Sequence, residues 1–228
     1  MTANLQKIAA LLVAAVCLTA CIGVVQLSAQ TVVIAAPAGP PSPDAVAQAR
    51  ADSIRHPFTE ADIHFMSSMI GHHAQAIVMA RWAPSHGASP AVQTLAARII
   101  NAQQDEIGTM QRWLKDRLQP VPDAVVTGMR MEMNGMEHEM LMPGMLTDAQ
   151  MKELNAARGP DFDRLFLKDM IQHHTGALTM VKQLFDSYGA GQDETVFKFA
   201  SDVNVDQATE IARMQKLLVA VTLGEESP

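Results

Sequence analysis

The chain has 228 residues and a formal net charge of −7, with its 17 lysines and arginines scattered rather than gathered into the basic stripe of a nucleic-acid binder. Both cysteines, Cys17 and Cys21, fall in an apolar N-terminal run, which excludes a disulfide framework, a thiolate metal site and a cysteine nucleophile from the remainder. Methionine is abundant, at 16 residues, so soft-metal chemistry in that remainder rests on thioether and imidazole.

The N-terminus reads as an export signal. Lys7 precedes an apolar run from Ile8 to Val25, interrupted by Thr19 and Gly23. Within it, Leu18-Thr19-Ala20-Cys21 resembles the lipobox of bacterial lipoproteins, in which the cysteine is acylated and becomes the new N-terminus. Cleavage near Ser28-Ala29-Gln30 and an uncleaved membrane-spanning helix are the alternatives. All three place the following residues outside the cytoplasm, in the periplasm or cell envelope, and an acylated Cys21 or an uncleaved helix would anchor them at the membrane. Residues 1–30 are therefore assigned to the signal or anchor, and residues 31–55, with Ala36-Pro37-Ala38-Gly39-Pro40-Pro41, to a Pro/Ala-rich linker.

Residues 56–222 are expected to form the working domain, and they contain an internal repeat. The phrase from Asp62 through Phe65, Met66, Met69, His72, His73 and Ile77 to Met79 recurs from Asp163 through Phe166, Leu167, Met170, His173, His174 and Leu178 to Met180. A second pair follows, Gln103-x-x-Glu106 with Met110 and Gln207-x-x-Glu210 with Met214. Two duplicated hairpins make four helices, which close naturally into a bundle. The first half is expected at 56–118, a methionine-rich connection at 119–147 and the second half at 148–222.

Local signals mark the helix ends. Thr59-x-x-Asp62 and Thr147-x-x-Gln150 are capping-box-like starts, and Ser89-Pro90 supplies an N-cap followed by proline at the first helical position. Pro84 and Gly87 separate the first pair of helices, Gly189 and Gly191 the second, and Gly159-Pro160 closes a short extra helix. No sustained two-residue alternation is read anywhere, so the expected class is all-α.

At about 100° per residue, Met66, Met69, Ile70, His73 and Ile77 share the inward stripe of the first helix, with His72 and Met79 on its flank. Met170, His173, His174 and Met180 repeat the pattern. Glu106 and Glu210 lie on apolar faces, where each needs a partner, and a histidine is the expected one. Two readings follow. In one, the histidines are hydrogen-bonded core residues and the methionines are filler. In the other, imidazole and thioether converge on a metal, for which Cu(I), Cu(II) and Ag(I) suit best. Neither histidine pair has a Glu three residues earlier, which disfavours di-iron chemistry. The 17 residues from Met129 to Met145 hold seven methionines and His138, and read as a flexible copper-capture strand using Met133, Met136, His138 and Met140. The alternative for this stretch is an amphipathic cover over the bundle. No nucleophile elbow, phosphate-cradling loop or zincin motif is present, so neither turnover nor an organic cofactor is expected.

At these residues the chain resembles the bacterial family of domains of unknown function numbered 305. The resemblance rests on FMSSMIGHHAQAIVMA, its echo FDRLFLKDMIQHHTGALTMV, and ARIINAQQDEIGTMQRWL after the first, and runs from about Phe58 to Leu218. It implies a ferritin-like helical fold, secretion or membrane anchoring, and a copper-sequestering role through a copper-binding periplasmic member. Metal ions and envelope copper-handling proteins are the partners it implies. It carries candidate ligand roles to Met66, Met69, His72, His73 and Met79 and to their counterparts Met170, His173, His174 and Met180. Leu167 departs from the pattern, where the first copy has Met66.

Overall fold

The computed structural model describes residues 58–126, 129–133 and 136–224, together with positions 43, 44 and 47; for 129–140 it describes backbone alone. The expected signal and linker lie outside the described residues. Among those described, no helix is long and apolar enough to cross a membrane.

The order of elements is α1 (Glu60–Trp82), α2 (Pro90–Asp116), β1 (Met129–Met133), β2 (Met136–Met140), α3 (Asp148–Ala156), α4 (Pro160–Asp186) and α5 (Glu194–Leu223). Three of the four long helices, α1, α2 and α5, start where a side chain satisfies orphan N–H groups, while α4 starts at Gly159-Pro160 without a side-chain cap. Thr59 and Asp62 exchange bonds in a full capping box, as do Thr147 and Gln150 at α3. Ser89 caps α2 ahead of Pro90, and Asp193 caps α5 by accepting from the N–H groups of Thr195 and Val196. At the far end of α5, Gly224 adopts φ 69°, the left-handed conformation that terminates helices without a Cβ penalty.

The four long helices form a bundle in which α1 packs along α2, α4 along α5, and the two hairpins meet through α1 and α4. No Asp, Glu, Lys or Arg occurs between Phe65 and Ala80, and α1 is correspondingly buried almost all round its circumference. The duplication is also visible in two reciprocal clasps. Asp62, at the start of α1, accepts from Gly191 N (2.7 Å) before α5, and Asp163, at the start of α4, accepts from Ser89 N (3.1 Å) before α2. A third tie joins α2 to α5: Asp193 accepts from Trp113 Nε1 at 3.0 Å and pairs with Arg117.

The connection differs from the expectation. Met129–Met133 and Met136–Met140 form an antiparallel two-stranded hairpin, pairing Met131 with His138 and Met133 with Met136. Met129, Met131 and Met133 do alternate in the sequence, and Asn134-Gly135 between the strands is the dipeptide that most favours a tight hairpin turn. The residues beyond the hairpin are neither arm nor strand: Met142, Met145 and Leu146 are buried in the bundle core. The flexible strand expected over the whole of 129–145 is thus corrected for its last residues.

Candidate metal centre

The four histidines sit where α1 and α4 cross, between two apolar clusters. His72, His73, His173 and His174 are each at most 1% exposed. His72 and His173, one from each half, stack with ring centroids 3.8 Å apart and planes tilted by 37°. His73 and His174 point away from that pair toward α2 and α5. His174 Nε2 donates to Glu210 Oε2 at 2.8 Å. His73 Nε2 lies at the same distance from Glu106 Oε2, but the angle there is too poor for a regular hydrogen bond.

The ring nitrogens divide into two sets. His72 Nε2 donates to the Pro143 carbonyl (3.0 Å) and His173 Nε2 to the His72 carbonyl (2.9 Å). A carbonyl only accepts, so these rings carry the proton on Nε2 and a bare lone pair on Nδ1. All four Nδ1 atoms, those of His73 and His174 included, are buried without a hydrogen-bond partner. Burial pushes His72 down to about 3; adjacent His73 adds to the effect and the Pro143 carbonyl opposes it. Burial likewise holds His173 well below the ordinary imidazole range, followed by the influence of His72, His174 and His73. The central pair is therefore neutral, the form in which imidazole binds metals.

The candidate thioethers are buried on both sides of this layer. One cluster holds Met66, Met69 and Met180, joined by Met110, Met142 and Met145, which residue-by-residue reasoning had not assigned as ligands. The other holds Met79 and Met170 with Met214. Each side therefore takes methionines from both halves. Leu167, fully buried in the second cluster, occupies the place that Met66 has in the first. Met133, Met136, His138 and Met140 lie outside the described side chains. Among the described residues, no three His, Cys, Asp or Glu side chains are grouped to hold a metal ion. A metal in this bundle would accordingly need thioether or amide donors beside imidazole.

The segment 142–146 closes over the central pair. Gln75 clamps Leu146 through both main-chain groups, donating to its carbonyl (3.0 Å) and accepting from its N–H (2.7 Å). At the position in α4 that corresponds to Gln75 stands Gly176, and a Cβ there would fall 1.9 Å from the Pro143 carbonyl oxygen. The exchange of Gln75 for Gly176 between the two copies thus lets a single segment cross both helices. His86 is a different kind of histidine: buried, and bonded to both oxygens of Asn155 at 2.9 Å and to Ser85, it ties the α1–α2 turn to α3.

On the opposite side the bundle is open. The backbones of α2 and α5 stand apart, and between them runs a groove with a cavity of about 250 Å³ at its centre. Glu106, Asp206 and Glu210 line it, together with Arg98 and Arg213. Gln103 and Gln207 also face it, 2% and 3% exposed, with both polar atoms of Gln103 and Oε1 of Gln207 lacking partners. Asp206 is raised above the usual carboxylate range by desolvation and then by Glu106, Asp202 and Glu210, against the pull of Lys198.

Related proteins place these features in a family. The chain is 38% identical over 56 residues to the uncharacterized protein L153 of Acanthamoeba polyphaga mimivirus, a match covering 25% of this chain and 37% of the viral one. It resembles the crystal structure of a putative secreted protein DUF305 from Streptomyces coelicolor, with TM-score 0.58 and 26% identity over 74% of this chain and 96% of that one. It also resembles CopM in its Cu(I)-bound form, with TM-score 0.51 and 27% identity over 68% of this chain and 93% of that one. CopM has been solved in a Cu(II)-bound form as well, to which the TM-score is 0.52 and the identity 28%. The family model described as Domain of unknown function (DUF305) matches residues 62–218, and the chain belongs to that family.

Proposed function

We propose that the bundle binds soft metal ions, Cu(I) above all, with Cu(II) and Ag(I) as further ions that its donors suit, and that it serves copper sequestration or tolerance as an exported protein of the cell envelope. The observation that carries this reading is the set of four buried Nδ1 atoms without partners, two of them bare lone pairs on His72 and His173, in a layer flanked on both sides by buried methionines. An unpaired buried polar atom costs about 1–3 kcal/mol, so four in one layer call for an explanation. A thiophilic ion supplies one, because thioether and neutral imidazole are both good ligands for Cu(I). The Glu210 and Glu106 carboxylates beside His174 and His73 would orient those rings and raise their basicity, as carboxylates do behind ligating histidines. The donor set of the methionine-richer cluster, with its six thioethers, favours the monovalent ion. Similarity to CopM, solved with Cu(I), Cu(II) and silver, supports the same choice. Similarity to a protein described as secreted supports export.

This role is binding without turnover. A structural role for the histidines is favoured by a specific observation too, the Nε2 bonds that tie α1 to Pro143 and α4 to His72. The two readings separate in a competition titration of the full-length protein against a chromophoric Cu(I) chelator. Metal binding predicts stoichiometric withdrawal of Cu(I) from the chelator, weakened by substitution of the four histidines with glutamine. No withdrawal at all would leave the histidines a structural role.

A further inference from the structure

The four histidines are shut off from solvent, so an ion that reaches them needs a path. The α1–α2 and α4–α5 sides of the bundle are closed by helix packing, the α1–α4 side is covered by the 142–146 segment except for a small opening at His64, Met142 and Met180, and the fourth side, between α2 and α5, is the groove described above. Its central cavity touches Glu106 and Glu210, whose carboxylates lie 2.8 Å from His73 Nε2 and His174 Nε2. The groove continues toward the start of α5 past Asp105, Glu194 and Asp202, so carboxylates outnumber the cations along it, which are Lys198 toward that end and Arg98 and Arg213 at the central cavity itself. Carboxylates alone would be an ordinary solvated surface. What sets this one apart is the pair of buried amides, Gln103 and Gln207, related by the internal repeat and presented to the cavity with their oxygens unpartnered. A buried amide oxygen without a hydrogen-bond partner is a donor atom available to a cation.

We propose that the α2–α5 groove is a cation-capture site in which Asp206, Glu106 and Glu210 and the amide oxygens of Gln103 and Gln207 hold an incoming copper ion before it passes to the His73 and His174 layer. This rests on the metal-binding reading above and adds a location and a direction of entry to it. Oxygen donors hold a hydrated ion loosely, while the nitrogen and sulfur donors inside take it once it is dehydrated. The focusing of field by a carboxylate-lined cleft raises the arrival rate of cations and makes that rate depend on ionic strength.

The test is stopped-flow mixing of the full-length protein with Cu2+, followed through quenching of tryptophan fluorescence at low and at high ionic strength. Asp202→Asn combined with Asp206→Asn removes two charges from the groove with near-isosteric replacements on the surface of α5. Thr209→Lys, which adds a cation at the groove, provides an independent route to the same outcome. The expected result is a low-salt uptake rate reduced by about three- to tenfold in either variant, with a flatter dependence on salt than in wild type. Asp161→Asn, on the exposed start of α4, is the control with the wild-type rate. Equal rates and equal salt dependence in wild type and both groove variants would overturn the proposal and move entry to the smaller opening at His64, Met142 and Met180. Absence of uptake by the wild type of both Cu2+ and, in the presence of a reductant, Cu(I) would instead overturn the metal-binding reading itself.

Discussion

The imidazoles of His72 and His173 stack with centroids 3.8 Å apart, each from a different copy of the repeat, in a site from which solvent is excluded. Two charged rings could not share that space. Their neutrality follows from burial, and it couples the stability of the fold to pH.

Both rings have folded-state values below the 6.5 of the unfolded chain, about 3 for His72 and well below 6.5 for His173. Between those limits the unfolded state binds more protons, so stability is intact above about pH 6.5 and falls as the pH is lowered toward 3. At pH 5 the His72 ring contributes a loss of roughly 2 kcal/mol, and His173 acts in the same direction. Buried Asp169, raised to about 6, acts in the opposite sense and offsets about 1 kcal/mol of it. Denaturant midpoints of the metal-free protein should therefore be lower at pH 5 than at pH 7.5. The difference should shrink in His72→Gln; a midpoint that rises on acidification would contradict the buried neutral pair.

Gly176 should tolerate no side chain. Its missing Cβ makes room for Pro143 and Gly144, and the nearest contact would be with main chain, which cannot swing away. Gly176→Ala is expected to lower stability by roughly 2 kcal/mol or more. Gln75→Ala, which leaves two buried main-chain groups of Leu146 unsatisfied, should cost a comparable amount. Because both changes release the same segment, thermal unfolding of the double variant should show less than the sum of the two.

Glu210→Gln tests the carboxylate behind His174. The amide keeps the shape but not the charge, and loss of such an outer partner typically weakens metal affinity about 10- to 100-fold. Cu(I) affinity by chelator competition should drop within that range at the affected site. An unchanged affinity would detach Glu210 from metal binding.

Leu167→Met restores the methionine that the first copy has at Met66. Leu167 is fully buried, and the exchange conserves volume, so the stability change should stay below about 1.5 kcal/mol. If the second cluster contributes thioethers to an ion, the variant should bind Cu(I) more tightly than wild type. A core methionine with no metal role would leave affinity unmoved.

Much of the architecture was legible in the residues because the duplication repeats the same packing problem. Thr59, Ser89 and Thr147 start helices for local reasons that need no tertiary knowledge, and a histidine contact for Glu106 or Glu210 follows from the place of these carboxylates on apolar stripes. What local periodicity could not show is which partners come from far along the chain. The stacking of His72 on His173 depends on how α1 crosses α4, and the burial of Met142 and Met145 depends on Gln75 and Gly176 on two different helices. The hairpin escapes the sequence reading for another reason: the density of methionine over 129–145 points to ligands, while the short alternation of Met129, Met131 and Met133 with Arg130 and Glu132 is the strand signal. The gap between α2 and α5 left no trace in the apolar pattern, since Gln103 and Gln207 are buried there as if they were core residues.

Native mass spectrometry of the full-length protein, titrated with Cu(I) under a competing chelator, addresses the metal assignment most directly. Discrete stoichiometric copper adducts are expected, reduced when His72, His73, His173 and His174 are replaced by glutamine. A protein that acquires no copper under these conditions, or whose adducts are untouched by that replacement, would contradict a metal centre at the histidine layer.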